Sequence, residues 1–145
     1  MQLVRILLVE DSIVTRRENE RALTQVVYEV ICATDGEAAL VQAVSQKPDL
    51  ILLDMILPKV SGPEVLHQLK ADERTADIPV IVLSSLPEKN RQKLIEAGAE
   101  EYLEKGLMTP APGVNVLPKA LENVICRVNR RRGIAFSSVP IAKES

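Results

Sequence analysis

Pro48-Asp49-Leu50-Ile51-Leu52-Leu53-Asp54-Met55 sets four large apolar residues directly before an acid. A run this short, apolar without alternation, reads as a strand buried on both faces, the habit of a parallel sheet covered by helices. Two more runs of the same kind flank it, Ile6-Leu7-Leu8-Val9 and Val80-Ile81-Val82-Leu83. Tyr28 to Ala33, where polar and apolar residues roughly alternate, and Glu101 to Leu103, poor in apolar residues, are weaker strand candidates. Helical stretches fall between the strands. Glu37 to Val44 follows the turn pair Asp35-Gly36, Pro63 to Lys70 has Pro in its first turn, and Pro87 to Ala97 meets a stop at Gly98. The clearest helix carries Leu117, Leu121, Val124, Ile125 and Val128 on one stripe and closes at Gly133. The weakest is the first, from about Ser12 to Val26. Its middle, Arg16-Arg17-Glu18-Asn19-Glu20-Arg21, has no apolar residue, leaving Ile13, Val14, Ala22, Leu23 and Val26 to face a core.

Five alternations of strand and helix imply an α/β fold, a doubly wound five-stranded parallel sheet with helices on both faces. Two strand orders compete. The flavodoxin-like order 2-1-3-4-5 puts strands two and five at the edges, and those are the two weak strands, so the ranking of apolarity favours it. Residues 1–133 read as one domain. Gly106 to Gly113, with Pro110 and Pro112, reads as a loop, and Ile134 to Ser145 as a tail or truncated linker.

Composition narrows the function. The 145 residues are 46% hydrophobic and 26% charged, but only 2% aromatic, so the core must be built from Val, Ile, Leu and Ala. The net charge of −2 gives no electrostatic footprint for nucleic acid, and Arg130-Arg131-Arg132 reads as a solvated helix end. Cys32 and Cys126 have no metal-type spacing and read as small buried hydrophobes. The N-terminal stretch lacks the pattern of a signal peptide, and no segment reaches membrane-spanning length, so the expected compartment is the cytoplasm and no membrane partner is expected.

In open α/β sheets ligands bind beyond the carboxyl ends of the strands, where the strand order reverses. Strand one ends in Glu10-Asp11 and strand three in Asp54, so three carboxylates are expected in one crevice. Such a cluster repels itself unless a cation joins it, and Mg²⁺, which takes oxygen ligands, is a good candidate. Strand four ends in Ser84-Ser85 and strand five in Lys105, a hydroxyl and a point positive charge able to meet a phosphoryl group. Together these form a phosphoryl-transfer site in which a carboxylate can be the nucleophile.

The chain resembles a response-regulator receiver domain, the phosphoacceptor domain of two-component signalling, from about Leu3 to Arg131. The resemblance is carried by Ile6-Leu7-Leu8-Val9-Glu10-Asp11-Ser12, Thr34-Asp35-Gly36-Glu37-Ala38-Ala39-Leu40, Pro48 to Met55, Leu57-Pro58, Gly62, Pro79 to Ser84 and Ala97 to Lys105. It implies a non-enzymatic conformational switch in a phosphorelay. Asp54 would be the acceptor. Asp11, Asp54 and the Ile56 carbonyl would bind Mg²⁺, with Glu10 helping through water. Ser84 would be the switch hydroxyl, Lys105 the phosphoryl contact, and Tyr102 the switch aromatic that turns inward. The donor would be a phosphohistidine on a sensor histidine kinase or a histidine phosphotransfer protein. A homodimer formed on phosphorylation is compatible with the resemblance, and the downstream partner is open. His67 reads as an ordinary helix residue.

The chain departs from the family at several points. Gly106 stands where Pro usually follows the Lys, so a trans Lys105–Gly106 bond is expected. The next loop is longer than usual, and the first helix has its polar middle. Ile56 and Leu86, two positions beyond the acceptor and the switch hydroxyl, are both apolar, which implies a long-lived phosphorylated state. Other classes fit less well. A haloacid-dehalogenase-type enzyme needs an Asp where Ile56 stands, and Glu10-Asp11 would repel a flavodoxin's flavin phosphate. A receiver that is never phosphorylated would not need the full set of acceptor residues.

Overall fold

The computed structural model describes residues 4–26, 28–85 and 90–132. Along the chain run β1 (Val4–Val9), α1 (Ile13–Thr24), β2 (Tyr28–Ala33), α2 (Gly36–Gln46), β3 (Leu50–Asp54), α3 (Gly62–Ala71), β4 (Val80–Ser84), α4 (Arg91–Glu96), β5 (Glu101–Glu104), the single turn α5 (Lys105–Met108) and α6 (Leu117–Arg132). The sheet has the order β2-β1-β3-β4-β5, and every pair is parallel. The two weakly patterned strands are the edges, as the apolarity ranking implies.

The three apolar runs are buried because helices cover both sides of the sheet. Leu7, Val9, Ile51, Leu53 and Val82 form one core with Ala39 and Ala43 of α2, Leu66 and Leu69 of α3 and Leu94 of α4. Ile6, Leu8, Leu52 and Leu83 form the other with Leu23 of α1 and Leu117, Leu121 and Val128 of α6. Each fully buried Leu or Ile contributes about 1.5–3 kcal/mol. Side-chain caps open three helices: Ser12 accepts from the Thr15 amide, Asp35 from Ala38 and Ser61 from Glu64. Among the described residues no helix is long and apolar enough to cross a membrane.

Several local expectations are corrected. Ile13 and Val14 do not face the core; they are 56% and 67% exposed in the first turn of α1, and Leu23 near its other end is the α1 residue buried in the second core. The polar middle of α1 has a structural partner instead. Asn19 is buried, and its Oδ1 accepts from Asn115 Nδ2 at 3.0 Å, while Asn115 Oδ1 accepts from the Leu117 amide at 2.9 Å and caps α6. The segment expected as loop from Gly106 begins inside α5, and the Val116 amide closes it on the Met108 carbonyl at 2.8 Å. Cys32 and Cys126 are only half-buried, at the margin of the second core. Arg131 is not simply solvated, since it meets Glu100 at 2.7 Å. The fourth helix is seen as Arg91–Glu96; Leu86 to Lys89 and Gly133 to Ser145 lie outside the described residues. His67 is exposed on α3.

Candidate functional site

Asp54 is the last residue of β3 and pairs in register with Leu83. The chain behind it is held by close packing at Gly62. A Cβ there would strike the Met55 backbone and lie 2.6 Å from the Asp54 carbonyl oxygen. Only glycine lets the Gly62 amide reach the Met55 carbonyl, at 3.0 Å, and fix the turn that follows Asp54. Gly36 plays a similar part from α2, bonding the Pro58 carbonyl at 3.2 Å, with Val60 where a Cβ would be.

Glu10 follows β1 and Lys105 follows β5, so the topology brings both beside Asp54. Lys105 Nζ lies 2.9 Å from Glu10 Oε1 and 3.1 Å from Asp54 Oδ2. The other Asp54 oxygen accepts from the Ile56 amide at 3.3 Å, and Glu10 Oε2 accepts from the Ser12 amide at 3.2 Å. Glu10 and Asp54 are buried, yet each carboxylate has both a cation and an amide. Burial pushes the Glu10 carboxyl above its ordinary value; Lys105 pulls it back, and the Asp54 charge adds to the rise. For Lys105, burial pulls the ammonium down, but its bond to Glu10 and the charges of Glu10 and Asp54 outweigh that and raise it.

Asp11 does not join this cluster. It is exposed, and among the described residues no three Asp, Glu, His or Cys side chains stand together in a set able to hold a metal ion. Of the three carboxylates expected at this crevice, Glu10 and Asp54 share one ammonium, and Asp11 stands beside them on the solvent side of the β1 end. Like charges repel at short range, and Lys105 supplies internally the positive charge that the pair requires. Beneath the acid pair, Arg16 Nη1 reaches the carbonyls of Glu10 at 3.2 Å and Asp11 at 3.4 Å. No sequence period marks this residue; its only signal is an Arg early in the helix that follows the acid pair.

Ser84 ends β4, the strand next to β3, and Tyr102 lies on β5. Ser84 is in register with Glu104, and Val82 with Tyr102, so Ser84 and Tyr102 share the face covered by α4. Both are buried. The Tyr102 ring is already inward here, in the core that holds Val82, Leu94 and Ala99. Ile56 is 63% exposed at the same edge of the sheet as Asp54. No cis peptide bond occurs among the described residues, so Lys105–Gly106 is trans, as expected. Leu86 lies outside the described residues.

Comparison with known proteins agrees with this fold. The family model described as the response regulator receiver domain matches residues 6–111. The phosphate regulon transcriptional regulatory protein PhoB of Pseudomonas aeruginosa is 37% identical over 137 residues, covering 94% of this chain and 56% of that protein. The DNA-binding dual master transcriptional regulator RpaA of Synechocystis is 40% identical over 102 residues, covering 70% of this chain and 42% of that protein. The chain thus spans about half the length of these two relatives, or less. The receiver domain of a sensor histidine kinase from Pseudomonas aeruginosa PAO1, crystallised with a magnesium ion coordinated in its active-site cleft, superposes with a TM-score of 0.69. It is 28% identical and covers 90% of this chain and 98% of that one.

Proposed function

The chain belongs to the response regulator receiver domain family of two-component signalling, and from that premise we propose that Asp54 accepts a phosphoryl group from a phosphohistidine donor with the help of Mg²⁺. The observation that carries this reading is the cluster of Glu10, Asp54 and Lys105, formed just at or beyond the carboxyl ends of β1, β3 and β5.

The Asp54 carboxylate attacks phosphorus in line with the bond to the donor imidazole. The P–O bond forms as the P–N bond breaks, and the electron pair leaves on the imidazole nitrogen. Lys105 turns its charge to the phosphoryl oxygens, and the Ile56 amide holds one Asp54 oxygen in place. The Ser84 hydroxyl, at the end of the neighbouring strand, is the group we assign to the transferred phosphoryl. Because Ser84 and Tyr102 share a buried face, displacement at Ser84 is felt at Tyr102 through packing, and the signal leaves by α4, β5 and α6.

The donor set suits Mg²⁺. Glu10, Asp11, Asp54 and the Ile56 carbonyl offer oxygen only, and Lys105 drawn between two of the carboxylates shows the demand for positive charge there. A bound Mg²⁺ would neutralise charge on the transferring phosphoryl oxygens. The phosphoryl donor is a sensor histidine kinase or a histidine phosphotransfer protein, and the compartment is the cytoplasm. With a net charge of −2 the chain acts as the switch and not as a nucleic-acid contact.

The test is intact mass after incubation with a small-molecule phosphodonor and Mg²⁺. One phosphoryl group is expected, absent in Asp54→Asn and absent when Mg²⁺ is chelated. Modification that persists in either case overturns the reading.

A further inference from the structure

The Glu10–Asp11 pair leaves the sheet in an unusual way. In a regular strand successive carbonyls point to opposite sides. Here one guanidinium nitrogen, Arg16 Nη1, reaches the carbonyls of both Glu10 and Asp11. One donor can serve two successive carbonyls only if the chain bends between them. The two side chains part, as those of successive residues in an extended chain do, with the Glu10 carboxylate buried against Lys105 and Asp11 turned to solvent. Side chains on a helix lean toward its N-terminus, so a residue in the first turns of α1 is well placed to reach back over the end of β1. The helix itself is anchored there: the Arg16 amide bonds the Ser12 carbonyl at 2.9 Å, and Ser12 accepts from the Thr15 amide at 3.3 Å.

We propose that Arg16 is a positioning residue for divalent-cation binding: by clamping the Glu10 and Asp11 carbonyls it presets the bend on which the two carboxylates stand. The inference rests on the reading of Glu10, Asp11 and Asp54 as Mg²⁺ ligands. Arg16, a donor only, would supply no ligand to the metal. It acts through the backbone that carries the acids, as outer partners of metal ligands do. A second element follows from ion size. Mg²⁺ demands near-ideal octahedral geometry, whereas Ca²⁺ tolerates irregular sites. Loosening the bend therefore penalises Mg²⁺ more than Ca²⁺, which neither a change of charge nor a loss of fold would do.

The experiment is titration of wild type, Arg16→Ala, Arg16→Lys and Arg17→Ala with Mg²⁺ and separately with Ca²⁺, followed by amide NMR shifts, with thermal unfolding in chelator as the measure of fold. Arg17 is the exposed neighbour and carries the same charge on the same helix. Arg16→Ala should bind Mg²⁺ about tenfold more weakly. Its loss for Ca²⁺ should stay within about threefold. Arg16→Lys, which keeps the charge and can serve one carbonyl, should fall between, and Arg17→Ala should stay near wild type. Equal losses for both ions, or equal effects of Arg16→Ala and Arg17→Ala, would overturn the clamp while leaving the metal site standing. A wild type that binds no Mg²⁺ would overturn the metal reading and the clamp with it.

Discussion

The ammonium of Lys105 lies 2.9 Å from a carboxylate oxygen of Glu10, and the two residues are 95 positions apart in the chain. Glu10 is only 2% exposed, so this contact balances a charge that water cannot reach. Lys105 is thus both the phosphoryl contact of the proposed function and the cation that balances the buried acid pair.

Lys105→Met should therefore destabilise the protein as well as impair phosphoryl chemistry. Breaking a fully buried ion pair costs about 3–5 kcal/mol. Lys105 is 23% exposed, so a loss nearer about 2 kcal/mol is expected in chelator. Added Mg²⁺ should recover part of it, because the cation replaces the missing charge. Urea unfolding with and without Mg²⁺ measures both. A variant as stable as wild type in chelator would show that the acid pair does not need this ammonium.

Ile56 should prolong the phosphorylated state. Hydrolysis of an aspartyl phosphate needs a water in line with the breaking bond, and something must orient it. The Ile56 side chain cannot hydrogen-bond a water, and it is exposed at the edge where Asp54 lies. After removal of the phosphodonor at constant Mg²⁺, Ile56→Asn should lose its label roughly three- to tenfold faster than wild type. Leu86→Glu should act in the same direction, and the pair together should be fastest. Equal or slower loss in all three would mean that these side chains do not control water access.

The Asn19–Asn115 contact should hold α1 to the start of α6. Asn115→Ala removes a helix cap, worth about 1 kcal/mol. It also strands the buried Asn19 Oδ1, an acceptor, which costs about 1–3 kcal/mol more. Asn19→Ala should cost less, since Asn115 keeps its bond to the Leu117 amide. A double-mutant cycle read by denaturation should give a coupling of about 0.5 kcal/mol or more. Additive effects would show two independent residues.

The Cys32 thiol should react slowly in the folded protein. Burial, and then the Glu20 charge, raise it from 9.0 to about 11. At pH 8 a two-unit rise cuts the thiolate fraction roughly a hundredfold relative to the unfolded chain. Alkylation followed by peptide mass should show Cys32 protected until urea unfolds the protein. The sign for stability follows: the folded state keeps this proton longer, so the contribution is full below pH 9.0 and is lost as pH rises toward about 11. Cys32→Ala should flatten that part of the pH profile. Rapid labelling of Cys32 in the folded protein would contradict the burial that causes the shift.

The strand runs around Leu50 to Leu53, their rank in apolarity and the residues that end each strand were legible in the sequence. Burial on both faces leaves a local composition that needs no distant partner to be read, and parallel topology then carries the ends of β1, β3 and β5 to one edge. The chain order alone was enough to nominate Glu10, Asp54 and Lys105. What happens at that edge was decided by tertiary structure. Asp11 turns to solvent while Lys105 enters between Glu10 and Asp54, because repulsion among carboxylates depends on distances that no local pattern encodes. The polar middle of α1 looked unsuited to a core until Asn115 came to meet Asn19 and the Glu10 and Asp11 carbonyls came to meet Arg16. Tyr102 lies inside rather than outside because the space near Leu94 and Ala99 exists only once α4 has docked. Hydrophobic periodicity is written along the chain; the pairing of polar groups is settled only when distant segments come within hydrogen-bonding reach.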